Sequence, residues 1–97
     1  MITELQKNII IDTIMPFNPL RIGIFGSVAR GESSENSDID ILYKLKDAIG
    51  LFKMVLIKDT LEEKLNKKVD LISEKSIQAK IKPYIMNDLI IIFSNEE

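Results

Sequence analysis

Two aspartates occupy alternate positions in Ser37-Asp38-Ile39-Asp40-Ile41-Leu42. In extended backbone successive side chains point to opposite faces, so Asp38 and Asp40 share one face, roughly 7 Å apart, while Ile39 and Ile41 share the other. Carboxylates so placed can converge on one divalent cation, or on two that lie about 3.5–4 Å apart. Aspartate is also a poor strand former, and local violations of propensity gather at functional sites. Taken alone, the pair suits equally a turn residue followed by the solvent face of an edge strand.

Upstream, a hydrophobic run breaks into Phe25-Gly26-Ser27-Val28-Ala29-Arg30-Gly31. Glycine lets backbone approach a ligand closely, and backbone N–H groups at a turn can receive phosphate oxygens. Ser27 adds a hydroxyl donor, and Arg30 has the length to reach a phosphate. By itself the segment is also an ordinary strand-to-helix turn. It imitates a P-loop, but the residue after Gly31 is Glu32, not the lysine that such loops need, so a Walker A reading is rejected. A third carboxylate, Asp70, sits inside the apolar run Val69-Asp70-Leu71-Ile72. It is either a surface position or a polar group with a specific partner. Were it to join Asp38 and Asp40, three uncompensated carboxylates would repel one another, and a divalent cation would relieve them. Oxygen-only ligands favour magnesium or manganese over zinc.

The surrounding pattern supplies elements to hold these residues. Thr3 to Met15 reads as a helix, with Thr3 and Gln6 as a capping box and Ile2, Leu5, Ile9, Ile10 and Ile14 as an approximate apolar stripe. Pro16 and Pro19 end it. Leu20 to Phe25 and Asp38 to Tyr43 read as strands, separated by the polar stretch Gly31-Glu32-Ser33-Ser34-Glu35-Asn36-Ser37, an exposed loop. A helix is expected over Asp47 to Leu65, then a short third strand at Val69 to Ile72 and a helical turn or two within Ser73 to Lys80. Pro83 suits the first turn of a last helix carrying Ile85, Met86, Leu89, Ile90 and Phe93. The long helix between the second and third strands is the βαβ signature and makes those strands parallel neighbours, which would place Asp70 beside the aspartate pair. The first strand can run antiparallel to the second. The expected class is α/β (α+β): a single domain, residues 1–97, with a small three-stranded mixed sheet flanked by helices.

Composition narrows the chemistry. The chain has no histidine and no cysteine, which removes disulfides, thiol nucleophiles, zinc fingers and Ser-His-Asp catalysis. Proton transfer must then rely on carboxylate, lysine, tyrosine or water. A net charge of −2 gives no broad basic surface, so direct nucleic-acid binding is not expected. No apolar run approaches the ~18 residues of a membrane span, and the N-terminus lacks a signal-peptide layout. A cytoplasmic location follows as the default expectation.

Taken together, the glycine-serine loop, the polar stretch and the aspartate pair resemble the signature of the DNA polymerase β-type nucleotidyltransferases, and most of all the minimal nucleotidyltransferases (MNT). These are often antitoxins encoded beside a HEPN-domain ribonuclease toxin. The resemblance covers nearly the whole chain and implies the nucleotidyltransferase fold. It implies that Gly26 and Ser27 hold the nucleotide's β- and γ-phosphates and that Arg30 is the arginine common in this loop. It further implies that Asp38 and Asp40 bind two Mg2+ ions, with Mn2+ as a substitute, and that Asp70 is the third metal-binding and catalytic carboxylate. The implied reaction moves AMP from ATP to a hydroxyl of a partner protein, a tyrosine of the HEPN toxin, with the two chains assembled together. Two alternatives stand beside it: an antitoxin that acts by binding alone, and nucleotidyl transfer to a small molecule such as an aminoglycoside.

Overall fold

In a computed structural model of the chain, the structure describes residues 2–32 and 37–95. Helix α1 spans Glu4–Ile14, and a 3-10 turn at Met15–Phe17 leads into strand β1, Pro19–Phe25. A five-residue helix α2, Gly26–Arg30, follows at once. Strand β2 is Ile39–Leu45, helix α3 Leu51–Leu65 and strand β3 Val69–Ser73. After a 3-10 turn at Glu74–Ser76 come helix α4, Lys82–Asp88, and strand β4, Ile90–Ser94.

The capping box forms as the sequence predicts. Gln6 N–H donates to Thr3 Oγ1 at 3.1 Å, and Thr3 N–H donates to Gln6 Oε1 at 2.9 Å. Two otherwise orphaned donors at the helix start are thereby satisfied. Ile10 and Ile14 are buried and Ile2 and Ile9 pack against them, but Leu5, expected in the same stripe, is 70% exposed. Helix α3 begins at Leu51, with Gly50 as its N-cap, rather than at Asp47. Strand β2 begins at Ile39, one residue after Asp38, and runs on to Leu45.

The sheet has the order β3-β2-β1-β4. β2 and β3 are parallel across the α3 crossover, as the βαβ pattern requires, and β1 is antiparallel to β2. The fourth strand corrects the sequence reading. Leu89, Ile90 and Phe93 do not extend the last helix: α4 stops at Asp88, and Ile90–Ser94 pairs antiparallel with β1. The run Ile90-Ile91-Ile92-Phe93 is rich in branched and aromatic residues that suit a pleated surface. The edge of β1 not taken by β2 offers it a ladder of backbone hydrogen bonds, which a short helix end cannot match.

Alternation along the strands divides the sheet into two unlike faces. Ile22 and Ile24 of β1, Ile39, Ile41, Tyr43 and Leu45 of β2, and Val69 and Leu71 of β3 form one cluster with Ile10 and Ile14 of α1 and Ile57, Leu61 and Leu65 of α3. This is the core. The other face carries Arg21, Gly23 and Phe25, then Asp40, Leu42 and Lys44, then Asp70 and Ile72, as the pairing register dictates. At one end of that face Arg21 and Glu74 form a bidentate ion pair that ties β1 to the end of β3 across β2. At the β3 start, Val69 N–H donates to Glu62 of α3 at 2.9 Å, which fixes the crossover where it returns to the sheet. No helix among the described residues is long and apolar enough to cross a membrane.

Candidate active site

The carboxylates meet at the end of the sheet where β1 finishes and β2 and β3 begin. Asp40 lies opposite Phe25 on one side and Asp70 on the other. In a pleated sheet, residues directly opposite one another share a face, and neighbouring strands are about 4.8 Å apart. Asp40 and Asp70 are therefore side by side. Asp38 is exposed and stands just outside β2, ahead of Ile39, whose N–H donates to Lys68 O at 3.0 Å. The polar stretch at residues 33–36, read from the sequence as exposed loop, lies outside the described residues.

The glycine-serine loop sits directly against this group. Gly26 has φ +75°, a conformation that L side chains rarely adopt, and a Cβ built on it would overlap Asp40 Oδ2 and stand 3.1 Å from Asp40 Cγ. Glycine is required here twice over, once by the backbone angle and once by the aspartate. Ser27 follows, and its hydroxyl makes no hydrogen bond among the described residues. The turn closes with Gly31 N–H donating to Val28 O at 3.2 Å and Glu32 N–H to Ser27 O at 2.9 Å.

Electrostatics at Asp40 follow from its surroundings. Partial burial raises its pKa first, the neighbouring charges of Asp70 and then Asp38 raise it further, and the Arg30 guanidinium draws it down. The three carboxylates thus act on one another through space, and the local structure only partly compensates their charge. Among the described residues no group of three acidic side chains is gathered at ligand distance of one ion. The donor chemistry nonetheless suits a hard divalent cation: carboxylate oxygens, no imidazole and no thiolate, with excess negative charge focused on the half-buried Asp40.

Arg30 is turned toward the protein. Its Nη1 donates to Asp88 Oδ2 at 2.6 Å, and its Nε donates to Glu32 Oε2 at 3.1 Å. These bonds, Asp88 before Glu32, raise its pKa beyond the ordinary arginine value. The sequence reading did not anticipate either partner, and Asp88 is fifty-eight residues away along the chain. One signal was present: Gly23 interrupts an otherwise branched strand, and a glycine inside a strand often marks close approach of another segment. The segment is Leu89, whose side chain lies over Gly23 where a Cβ would stand.

A cavity of about 530 Å³ lies away from these residues, on the core side of the sheet between the far ends of β2 and β3 and the start of α3. It is lined by Tyr43, Leu45, Leu71 and Met54 among others. Asp47 also lines it, but Asp38, Asp40 and Asp70 do not.

Residues 7–97 match the family described as polymerase beta, nucleotidyltransferase. The chain is 38% identical over 89 residues to a candidate protein adenylyltransferase of Methanocaldococcus jannaschii, covering 92% of this chain and 95% of the relative. It is 33% identical over 76 residues to the protein adenylyltransferase MntA of Thermococcus cleftensis, covering 78% and 77% of the two chains. Among solved structures, a toxin–antitoxin complex with AMP-PNP superposes with a TM-score of 0.83 at 23% identity, over 93% of this chain and 74% of that one. The MNT antitoxin complex with a tri-AMPylated HEPN toxin of Shewanella oneidensis gives 0.77 at 20%, over 95% and 72%. At those identities the two structures speak to the fold alone, and they share it. With the family match over nearly its full length and relatives above 30% identity, the chain belongs to the polymerase β-type nucleotidyltransferases, in the group of the minimal protein adenylyltransferases.

Proposed function

We propose that this chain, as a single nucleotidyltransferase domain over residues 1–97, transfers AMP from ATP to a hydroxyl of a partner protein. The partner class is a HEPN-domain toxin, its acceptor a tyrosine, and the modification neutralises it. The observation that carries the reading is the seating of Gly26 against Asp40, with Asp70 in register beside it. A phosphate-binding turn and a carboxylate group thereby share one strand end. The names of the relatives, protein adenylyltransferases, and the AMPylated toxin bound to a structural neighbour supply the class of acceptor.

In the reaction, the acceptor hydroxyl oxygen attacks the α-phosphorus as the bond to the bridging oxygen of the β-phosphate breaks, and pyrophosphate leaves. Gly26 and Ser27 hold the β- and γ-phosphates through backbone N–H groups and the Ser27 hydroxyl. Asp38, Asp40 and Asp70 would hold two magnesium ions. Bound there, magnesium would supply charge stabilisation for the leaving pyrophosphate and make the acceptor hydroxyl more acidic. Asp70, exposed at the sheet edge, would also help to take the hydroxyl proton. The protein's contribution is mainly position and charge, which agrees with a histidine-free chain.

The test is transfer of label from ATP labelled at the α-phosphate to the protein encoded beside this chain, with magnesium and with EDTA. Label on the neighbour that disappears in Asp38→Ala and Asp40→Ala supports the reading; label that persists in both removes it. A second reading has its own observation. Leu51, Phe52, Val55 and Leu56 of α3 are exposed, a surface suited to a protein partner. If a doubly substituted Asp38→Ala, Asp40→Ala chain neutralises the toxin as well as the parent, contact alone suffices.

A further inference from the structure

The proposed transfer explains Gly26, Ser27 and the carboxylates, but gives no account of Arg30, which two acidic side chains hold in place. The arrangement is asymmetric. Nε is committed to Glu32 and Nη1 to Asp88, while Nη2, which lies between them on the same planar group, makes no hydrogen bond among the described residues. Arginine presents five N–H donors in a rigid fork, so fixing two nitrogens fixes the direction of the third.

Asp88 is an unexpected residue for its position. It is the last residue of α4, where the helix carries its partial negative charge, and an aspartate there is unfavourable without a cation. Arg30 provides that cation. The Asp88 side chain is 20% exposed and the Arg30 side chain 44%, so the pair is shielded on the Asp88 side and open on the arginine side. Asp88 is also well anchored. The next residue, Leu89, packs over Gly23 of β1, and Ile90 then enters the sheet opposite Ile24. The carboxylate is thus set from the sheet itself, two strands from Asp40, and the charge of Arg30 is felt at Asp40.

We propose that Asp88 is a positioning residue for nucleotide binding: it holds the Arg30 guanidinium so that Nη2 faces the triphosphate seated on Gly26 and Ser27. The inference rests on the nucleotidyltransferase reading above. Its chemical target is the non-reacting β- and γ-phosphates, whose charge is much the same in the bound substrate and in the transition state. Loss of such uniform binding raises KM and leaves kcat unchanged. A residue that merely stabilised the fold would instead reduce the active fraction and the melting temperature.

The experiment compares the full chain with Asp88→Ala, Asp88→Asn, Arg30→Ala and the Asp88→Ala, Arg30→Ala double variant, with magnesium and ATP. Two readouts are taken: KM and kcat for ATP in transfer, and equilibrium dialysis of labelled ATP without the partner. Asp88→Ala should raise KM and the dialysis Kd about three- to tenfold, with kcat within about twofold. Asp88→Asn, which keeps an acceptor for Nη1, should recover part of the loss. On the Arg30→Ala background, removing Asp88 should cost nothing more. An unchanged KM in Asp88→Ala overturns the proposal, and so does an equal loss with or without Arg30. A parent chain that binds no ATP sinks the transferase reading and this inference together, whereas a parent that binds ATP with an indifferent Asp88 sinks this inference alone.

Discussion

The two faces of the sheet are made by the same three strands and follow opposite rules. On the face covered by α1 and α3, Ile22, Ile24, Ile39 and Ile41 are each 1% exposed or less, and among the described residues no polar or charged residue is fully buried, though the Thr13 Oγ1 atom of α1 is. The apolar residues there agree with their neighbours, and the face exists to hold the fold. On the other face the same strands place Asp40 against Asp70 and beside Gly26, where charge repulsion and partial burial act against stability. Conflict of that kind persists where a ligand resolves it. One face accounts for why the chain folds, the other for what the folded chain can bind.

The comparison can be broken most sharply at Asp40. Asp40→Ala should lower transfer by roughly a thousandfold or more, on the scale of removing a principal charge-stabilising group, measured as label incorporated per unit time. Ile41→Ala, one residue along and on the opposite face, should do the reverse: transfer per folded molecule is unchanged, while unfolding in urea shows a loss of about 3 kcal/mol. If Ile41→Ala impairs kcat in fully folded protein, the two faces are not separable.

A smaller effect sharpens the same contrast. Asp40→Asn, in EDTA at neutral pH, should stabilise the fold by about 1 kcal/mol, the usual scale of relief at a strained functional position. The sign follows from the raised pKa of Asp40. A carboxyl that holds its proton more tightly when folded than when unfolded is penalised in its charged form. That penalty is complete above the folded pKa and disappears below the unfolded value of about 3.9. The melting-temperature gap between Asp40→Asn and the parent should therefore narrow as pH falls toward 4. A gap that stays constant with pH would assign the stabilisation to something other than charge.

Much of the fold was legible because its signals are local. Thr3 and Gln6 announce the start of α1 within one turn, and the apolar runs around Ile22, Ile41 and Leu71 announce three strands. A long helix between the last two makes them parallel and puts Asp70 next to Asp40. What escaped depends on partners far along the chain. Ile90 to Phe93 fits a helix or a strand when read alone, and the free edge of β1 decides between them. Arg30 looks like a residue free to meet a phosphate, and only the fold brings Asp88 to it. From sequence, glycine at position 26 means room for a ligand; in the fold, Asp40 already stands where a side chain at that position would go.

That contact couples the substitutions that the loop and the aspartate can accept. With Asp40 present, a side chain at position 26 meets both an unfavourable backbone angle and a carboxylate, so Gly26→Ala is penalised twice. Once Asp40 has become alanine, only the angle remains. Loss of function along this lineage therefore has a preferred order, with the aspartate lost before the glycine. A descendant that kept Asp40 but replaced Gly26 would have had to rebuild the strand end around it. In laboratory evolution the same asymmetry should appear as a ratchet, in which restoring Asp40 is blocked wherever position 26 has already drifted.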